Sequence, residues 1–376
     1  MKINRLYTVN FRNYSSCDLN IKSMVNVFFG KNAQGKTNLL EAIFFSSFGM
    51  SHRTSSEEDL LRLNSNSMAV VVEYSNFSGL HELKLKKYLQ NERWKKEILL
   101  DGAKIRPKEH YGSLNAVMFS PEDLQLVKGE PSLRRRFFDM QIAQTDPIYY
   151  DLLVKYNRVL QQRNRLLKDL RDNGGSQSVL QPWNEEFIRL AAAIVQKRLL
   201  ALKKLKVIAG KIYDSITSSQ EQLMIIYEQK ANNSKVLYPL TFDECNEDFY
   251  RFQLAERQRI DILRGNTGIG PHRDDLNLLL NEHSLRSFGS QGQQRSAALA
   301  LKLSQLEYVH NEMGEFPILL LDDVMSELDN NRRSQLLSFI NGKVQTFITV
   351  NDRELIPDLI GNAYFKIEAG SIISEA

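Results

Sequence analysis

The sequence predicts an α/β fold, a mixed sheet with helices, whose chain is interrupted by an inserted, mainly helical second lobe. Three observations predict it. Apolar runs of strand length lie near both ends, Val25 to Phe29 and Ile318 to Leu321. A glycine-bearing turn from Gly30 to Gly35 joins the first run to a helix-forming stretch. In the middle, from Tyr149 to Ile216, apolar residues recur at three- and four-residue steps instead. The expected boundaries are 1–130 with 265–376 for the α/β part and 131–264 for the inserted lobe.

In order along the chain, Met68 to Tyr74 is β-branched and of strand length, and Leu83 to Lys86 alternates with period two, as a half-exposed strand does. Asp101-Gly102 after Ile98-Leu99-Leu100 reads as a hairpin turn, because both residues tolerate positive φ. Asn38 to Phe48 reads as a helix. Beyond Pro131, Tyr149, Leu152, Leu153, Tyr156, Val159, Leu160, Leu166, Leu167 and Leu170 form one apolar stripe, which Asn173-Gly174-Gly175-Ser176 ends. A second helix starts near Trp183, and the pair reads as an antiparallel hairpin. Strand-like sequence returns after Gln220, and an α/β pattern from about Gly265.

Composition bounds the class. The chain has 376 residues, 42% hydrophobic and 25% charged, the mix of a globular protein of about two domains. No window approaches the roughly 18–20 apolar residues of a membrane span, and the N-terminus shows no apolar leader. Cys17 and Cys245 are too few for a disulfide framework or thiolate metal site, so a reducing cytoplasm is expected. The net charge of +4 is unevenly placed. From Pro131 to Lys211, 16 Lys and Arg stand against 7 Asp and Glu, an excess of +9 that leaves −5 for the rest. A basic middle suits a polyanionic partner, or is a solvated helical face.

Gly30-Lys31-Asn32-Ala33-Gln34-Gly35-Lys36-Thr37 matches the phosphate-loop pattern G-x-x-x-x-G-K-[ST] at every fixed position. Glycines let backbone N–H groups curl around phosphate oxygens, and the following helix adds its partial positive charge. Lys36 is expected to reach the β- and γ-phosphates of ATP, and the Thr37 hydroxyl to ligate Mg²⁺. In Ile318-Leu319-Leu320-Leu321-Asp322-Asp323, two carboxylates emerge where an α/β strand places its ligands. Asp322 is expected to hold Mg²⁺ through water, and Asp323 to orient or deprotonate the attacking water.

Phe288-Gly289-Ser290-Gln291-Gly292-Gln293-Gln294-Arg295 is a Gly/Ser/Gln-rich turn before a helix read as Ser296 to Tyr308, about thirty residues ahead of Asp322. It resembles the signature loop of ABC-type ATPases, L-S-G-G-Q, keeping Ser290, Gly292 and Gln293, with Gln291 at the first glycine. In that family the loop grips the γ-phosphate of the opposing subunit's ATP. Ser326-Glu327-Leu328-Asp329 matches the D-loop, and Asp329 also reads as the N-cap of the next helix. The fold class is therefore an ABC-type P-loop ATPase head with an inserted helical lobe.

The residues further resemble the RecF family of bacterial recombination mediators, built on an SMC-like ATPase head. The resemblance spans nearly the whole chain. Its carriers are Asn10-Phe11-Arg12-Asn13-Tyr14, the phosphate loop with Asn38-Leu39-Leu40-Glu41-Ala42, and Pro121-Glu122-Asp123-Leu124. They continue with Val127-Lys128-Gly129 through Arg134-Arg135-Arg136-Phe137, then Gly270-Pro271-His272-Arg273-Asp274-Asp275. Ser290 to Arg295 and Leu321 to Asp329 complete them. The resemblance implies a homodimer joined by ATP and Mg²⁺, slow DNA-stimulated hydrolysis as a release timer, DNA binding in repair and replication restart, and RecA loading with RecR and RecO. It places Arg12 near phosphate or base, unless that arginine is simply exposed.

Three features depart from the ABC pattern. No glutamine can be assigned around Val117 to Pro121, and Val350-Asn351-Asp352 offers no switch histidine. Asp323 stands where most such enzymes carry glutamate. Candidate DNA contacts are Arg134, Arg135, Arg163, Arg165, Lys203 and Lys204, with Lys197, Arg198 and Lys206 on the same helices. Arg134 and Arg135 could instead brace the lobe junction. His272 and Arg273 are placed near the dimer face, unless Asp274 and Asp275 only pair with Arg273. A transporter's ATPase subunit and a nucleotide-gated recruitment scaffold are the rival readings.

Overall fold

The computed structural model describes residues 1–217, 221–230, 235–238, 247–356 and 362–375. Cys245 lies outside them, and Cys17 is a buried free thiol. The chain forms two compact units, Met1–Asp123 with Gln305–Ala376, and Leu124–Ser304.

The first unit carries two six-stranded sheets. One runs in the order Ser371–Glu375, Asn362–Glu368, Val25–Phe29, Thr346–Val350, Ile318–Asp322, Ala116–Phe119. All its neighbours are parallel except the terminal hairpin. Ile318–Asp322 and Thr346–Val350 are buried at every residue, which explains their unbroken apolar runs: a parallel strand covered on both faces has no solvent side to mark. The register sets Asp322 opposite Thr349 and Val350 opposite Phe29, so the C-terminal ends of three strands sit side by side.

The other sheet is antiparallel, ordered Tyr14–Asn20, Lys2–Phe11, Ser67–Asn76, Gly79–Gln90, Arg93–Leu100, Ala103–Lys104. Its expected alternation holds, with Leu83 and Leu85 buried and Lys84 and Lys86 partly exposed. The Asp101-Gly102 turn closes a hairpin with φ of 51° and 80°, pairing Leu100 with Ala103. Helix Lys36–Phe48 begins two residues earlier than expected and is buried almost all round.

In the second unit, helices Pro147–Asn173 and Gln181–Thr217 carry the two apolar stripes. The Asp146 carboxylate caps the first by accepting from the backbone N–H groups of Ile148 and Tyr149, and Gly174 ends it at φ 71°. A four-stranded sheet follows the order Lys235–Tyr238, Leu223–Lys230, Asp275–Leu280, His283–Ser284.

The units divide the chain at points other than 130/131 and 264/265. Asp275–Leu280 pairs in register with Leu223–Lys230, from Asp275 against Glu228 to Leu280 against Leu223, which ties the segment after Gly265 to the helical unit. The helix read from Ser296 runs Gln291–Met313 and passes through the division.

Candidate phosphate-binding site

The loop after Val25–Phe29 can only be built with its glycines. Gly30 has φ 145°, and a Cβ there would stand 2.4 Å from the Ile367 carbonyl oxygen. Gly35 has φ 116°, and its Cβ would meet Asn13 Nδ2 at 2.7 Å and the Tyr14 hydroxyl at 2.9 Å. The helix that starts at Lys36 has no acidic residue in its first turn, so its N-terminal N–H groups keep their attraction for an anion.

The loop is fastened from outside. Asn13 Nδ2 donates to the Gln34 carbonyl at 3.0 Å, and the Gly370 N–H donates to the same oxygen at 2.9 Å. The Ala369 N–H donates to Gln34 Oε1 at 2.7 Å, and the Tyr14 hydroxyl to the Gly35 carbonyl at 3.1 Å. Sequence reasoning noted Asn13 and Tyr14 without giving them this role, and missed the Ala369-Gly370 turn altogether.

Lys36 Nζ donates to the carbonyls of Gly30 at 2.5 Å and Lys31 at 2.9 Å, and to Asn351 Oδ1 at 3.0 Å. Asn351 thus occupies the place where a switch histidine was sought. Burial holds the Lys36 pKa below its ordinary value, against the pull of Asp323 and Asp322. The ammonium sits where water solvates it poorly and neutral oxygens substitute incompletely. A triphosphate would complete its neutralisation.

Asp322 and Thr37 meet directly. Asp322 Oδ1 accepts from the hydroxyls of Thr37 and Thr349, each at 2.7 Å, and Thr349 Oγ1 in turn accepts from the Asp323 N–H at 2.9 Å. Burial raises the Asp322 pKa, Asp323 adds to the shift, and the two hydroxyls with Arg53 oppose it. With its proton turned to Asp322, Thr37 Oγ1 keeps its lone pairs for a cation. A hydroxyl beside a carboxylate is a hard-oxygen pair of the kind Mg²⁺ uses together with phosphate oxygens. Among the described residues no cluster of three or more His, Cys, Asp or Glu could hold a metal alone, so the ion fits here only along with phosphate.

Asp323 sits at φ 52°, a left-handed conformation that aspartate tolerates better than most residues. The Ser326 hydroxyl lies 2.7 Å from its carbonyl oxygen and 2.8 Å from its Oδ1. Asp329 caps helix Asn330–Ile340, accepting from the Arg332 N–H at 2.9 Å, and that bond with the Arg332 charge holds its pKa low.

Arg12 is engaged elsewhere than expected. Its Nε and Nη2 donate to the two carboxylate oxygens of Glu41 at 2.8 and 2.7 Å, and Nη1 to the Asp59 carbonyl at 2.6 Å. Glu41 is fully buried; burial pushes its pKa up, but Arg12 and Ser51 outweigh it and the net direction is down. Arg12 therefore holds the helix that follows the loop.

In the Leu124–Ser304 unit, Ser290 is exposed and caps Gln291–Met313. Ser290 Oγ accepts from the Gln293 N–H at 3.2 Å, and the Ser290 N–H donates to Gln293 Oε1 at 2.7 Å, a reciprocal box. Gln293 Nε2 donates to Glu221 Oε1 at 2.6 Å. Gln291 is exposed and Gly292 half-buried.

Two DNA candidates are overturned. Arg134 is buried, with Nε and Nη2 donating to the two oxygens of Asp275 at 2.8 Å and Nη1 to the Gly129 carbonyl at 2.9 Å. Arg163 is fully buried against Asp261 at 3.1 Å, Thr267 at 2.6 Å and Asn184 at 2.8 Å. Each falls on the inward face of its helix, Arg134 four residues before Phe138 and Arg163 seven after Tyr156. Arg198 is likewise buried, on Asp139. Arg135 is half-buried and donates to the Asp274 carbonyl at 2.6 Å, while Arg165, Lys203 and Lys204 are exposed. His272 is held by Tyr156 at 2.5 Å, and Asp274 and Asp275 pair with Tyr227 and Arg134 instead of Arg273.

The family model described as the RecF/RecN/SMC N terminal domain matches residues 2–367. A DNA replication and repair protein RecF of Natranaerobius thermophilus is 41% identical over 356 residues, covering 94% of this chain and 92% of its own. One from Bacillus cereus is 41% identical over 352 residues, covering 93% and 92%. Among solved structures, the recombination mediator protein RecF-ATP of the RecFOR pathway superposes with a TM-score of 0.89 at 34% identity, covering 100% of this chain and 97% of that one. An Smc head domain from Pyrococcus furiosus shares the fold, with a TM-score of 0.56 at 14% identity. No described helix is long and apolar enough to cross a membrane.

Proposed function

Since the chain belongs to the RecF/RecN/SMC N-terminal-domain family and within it to the RecF proteins of DNA replication and repair, we propose that it is an ATP-dependent DNA-binding protein of recombinational repair and replication restart. The reading rests on one observation above others: the Thr37 hydroxyl donates to Asp322 at a strand end while Lys36, first residue of the helix after the glycine loop, donates to Asn351 just past the neighbouring strand, a set of groups suited to phosphate and Mg²⁺. Relatives aligned over 94% of the chain favour this over a transporter subunit or a recruitment scaffold.

When bound, Mg²⁺ supplies charge that screens the phosphates and the Asp322–Asp323 pair from each other. Lys36 neutralises the β- and γ-oxygens, and the loop amides from Gly30 to Thr37 cradle them. Asp323, fixed through its N–H to Thr349 and by Ser326, orients the attacking water and takes its proton. Its side chain is one methylene shorter than glutamate, which suits slow turnover. Each nucleotide lies between the phosphate loop of one copy and Ser290 to Gln293 of an opposing copy, with Ser326 and Asp329 beside the junction. Hydrolysis then removes the anion that joins the copies, so the weak, DNA-stimulated ATPase times release. The cytoplasm is the place of action, and RecR, RecO and, through them, RecA are the partners.

The test is ATPase rate and solution mass, with and without duplex, gapped and single-stranded DNA. We expect a dimer with ATP and faster turnover with DNA. A rate indifferent to every DNA, with no binding at low salt, overturns the reading.

A further inference from the structure

With Arg134 and Arg163 held inside the fold, nucleic-acid phosphates need other partners in the basic unit. A cavity beside Arg134 offers them. It encloses about 490 Å³ within the Leu124–Ser304 unit and is lined by Arg135, Lys230, Arg273 and Arg286. Two of its carboxylates are occupied: Asp275 binds Arg134 through both oxygens, and Glu228 accepts from Asn277 Nδ2 at 2.5 Å. Its third, Glu130, is exposed. None of the four cations makes an ion pair with a carboxylate among the described residues.

Two of these cations are also fixed in place. Arg273 donates through Nε and Nη2 to the Thr267 carbonyl at 3.3 and 3.2 Å, which leaves Nη1 for an outside ligand. Arg135 donates one bond to the Asp274 carbonyl, and burial with the nearby Arg198 charge pushes its pKa down. Asp275, Asp274 and Asp139 pull the other way and offset that cost only in part. Lys230 and Arg286 are exposed at the cavity's edge, with long side chains that keep their charged ends in water. Oriented guanidinium donors in a concave, positively charged site are the chemistry that recognises phosphate oxygens.

We propose that this cavity holds a backbone phosphate of the bound nucleic acid, with Arg135, Lys230, Arg273 and Arg286 as its cationic partners. The proposal rests on the DNA-binding reading and gives it a location. Free di- and triphosphates share the same chemistry, so the experiment separates the two sources.

The full-length protein, held with a slowly hydrolysed ATP analogue, is titrated with a 30-base-pair duplex over a range of salt concentrations. Wild type is compared with Lys230→Ala, Arg286→Ala and their combination; both side chains are exposed, and unchanged thermal unfolding confirms that the variants are folded. Each lost phosphate contact should lower the slope of log K against log salt by about 0.9, which is about eightfold in affinity at 0.1 M salt. Arg273→Gln should act in the same direction. Wild-type binding with slopes unaltered in all variants overturns the site alone. A wild type that binds no duplex at low salt overturns the parent reading as well. In a second arm, thermal stabilisation by sodium pyrophosphate is compared in wild type and the double variant. If the variant loses that stabilisation yet keeps the DNA slope, the cavity belongs to a free phosphate solute and the nucleic-acid assignment is wrong.

Discussion

Replacing Lys36 by methionine separates nucleotide affinity from fold stability, because the ammonium is held by oxygens that satisfy it only in part. Its partners are two carbonyls and the Asn351 amide oxygen, and burial lowers its pKa even with Asp322 and Asp323 nearby. Methionine keeps most of the stem's length and apolar contact while removing the poorly solvated charge. The nucleotide-free protein should therefore unfold within a few degrees of wild type. Toward ATP the loss is large. A charge-assisted hydrogen bond contributes roughly 1.5–3 kcal/mol, and Lys36 is expected to reach both β- and γ-oxygens. Two such bonds sum to about 3–6 kcal/mol, so affinity should fall by at least about a hundredfold. Titration with a fluorescent ATP analogue, beside thermal unfolding of the nucleotide-free protein, reads both quantities. A Kd within threefold of wild type would refute the assignment of Lys36 to the phosphates. A large loss of stability without nucleotide would refute the account of its partial solvation.

Other perturbations probe separate parts of the account. Asp323→Asn should bind ATP, hydrolyse at least about a hundredfold more slowly and accumulate as dimer in sizing experiments; a variant that stays monomeric with ATP would show that the carboxylate does more than act on water. Arg163→Ala should destabilise the helical unit by about 3 kcal/mol in urea unfolding, the low end for breaking a buried pair, because Arg257 still faces Asp261 at 3.3 Å; a loss below 1 kcal/mol would contradict the bracing role. Asp274 is fully buried, and burial pushes its pKa up to about 7, so the folded chain holds that proton more tightly than the unfolded chain. Its contribution to stability is thus fully present below about pH 4 and declines as pH rises to about 7. Asp274→Asn should therefore gain stability relative to wild type over that range, and a difference independent of pH would refute the shift.

Much of the nucleotide site was legible because its parts are local. The phosphate loop, its strand and its helix are contiguous, and Asp322 ends an apolar run that only a strand covered on both faces produces. The fastening of the loop was not legible. Asn13, Gln34 and Gly370 meet through parallel pairing of Asn362–Glu368 with Val25–Phe29, and nothing in the local pattern announces a partner more than three hundred residues away. The domain division went astray for the same reason, since the pairing of Leu223–Lys230 with Asp275–Leu280 is non-local. Arg163 was a different kind of error. Its place on the stripe that includes Tyr149 and Tyr156 already pointed inward, and its charge was weighed ahead of its position.

The measurement that bears most directly on the central claim mixes two inactive variants. Lys36→Met lacks a working phosphate loop, and Ser290→Arg lacks a working signature loop. If opposing copies share each nucleotide, the mixture regains ATPase activity through one composite site per mixed dimer, while each variant alone stays inactive. A mixture no more active than its separate components, from variants that remain folded, would contradict the shared site.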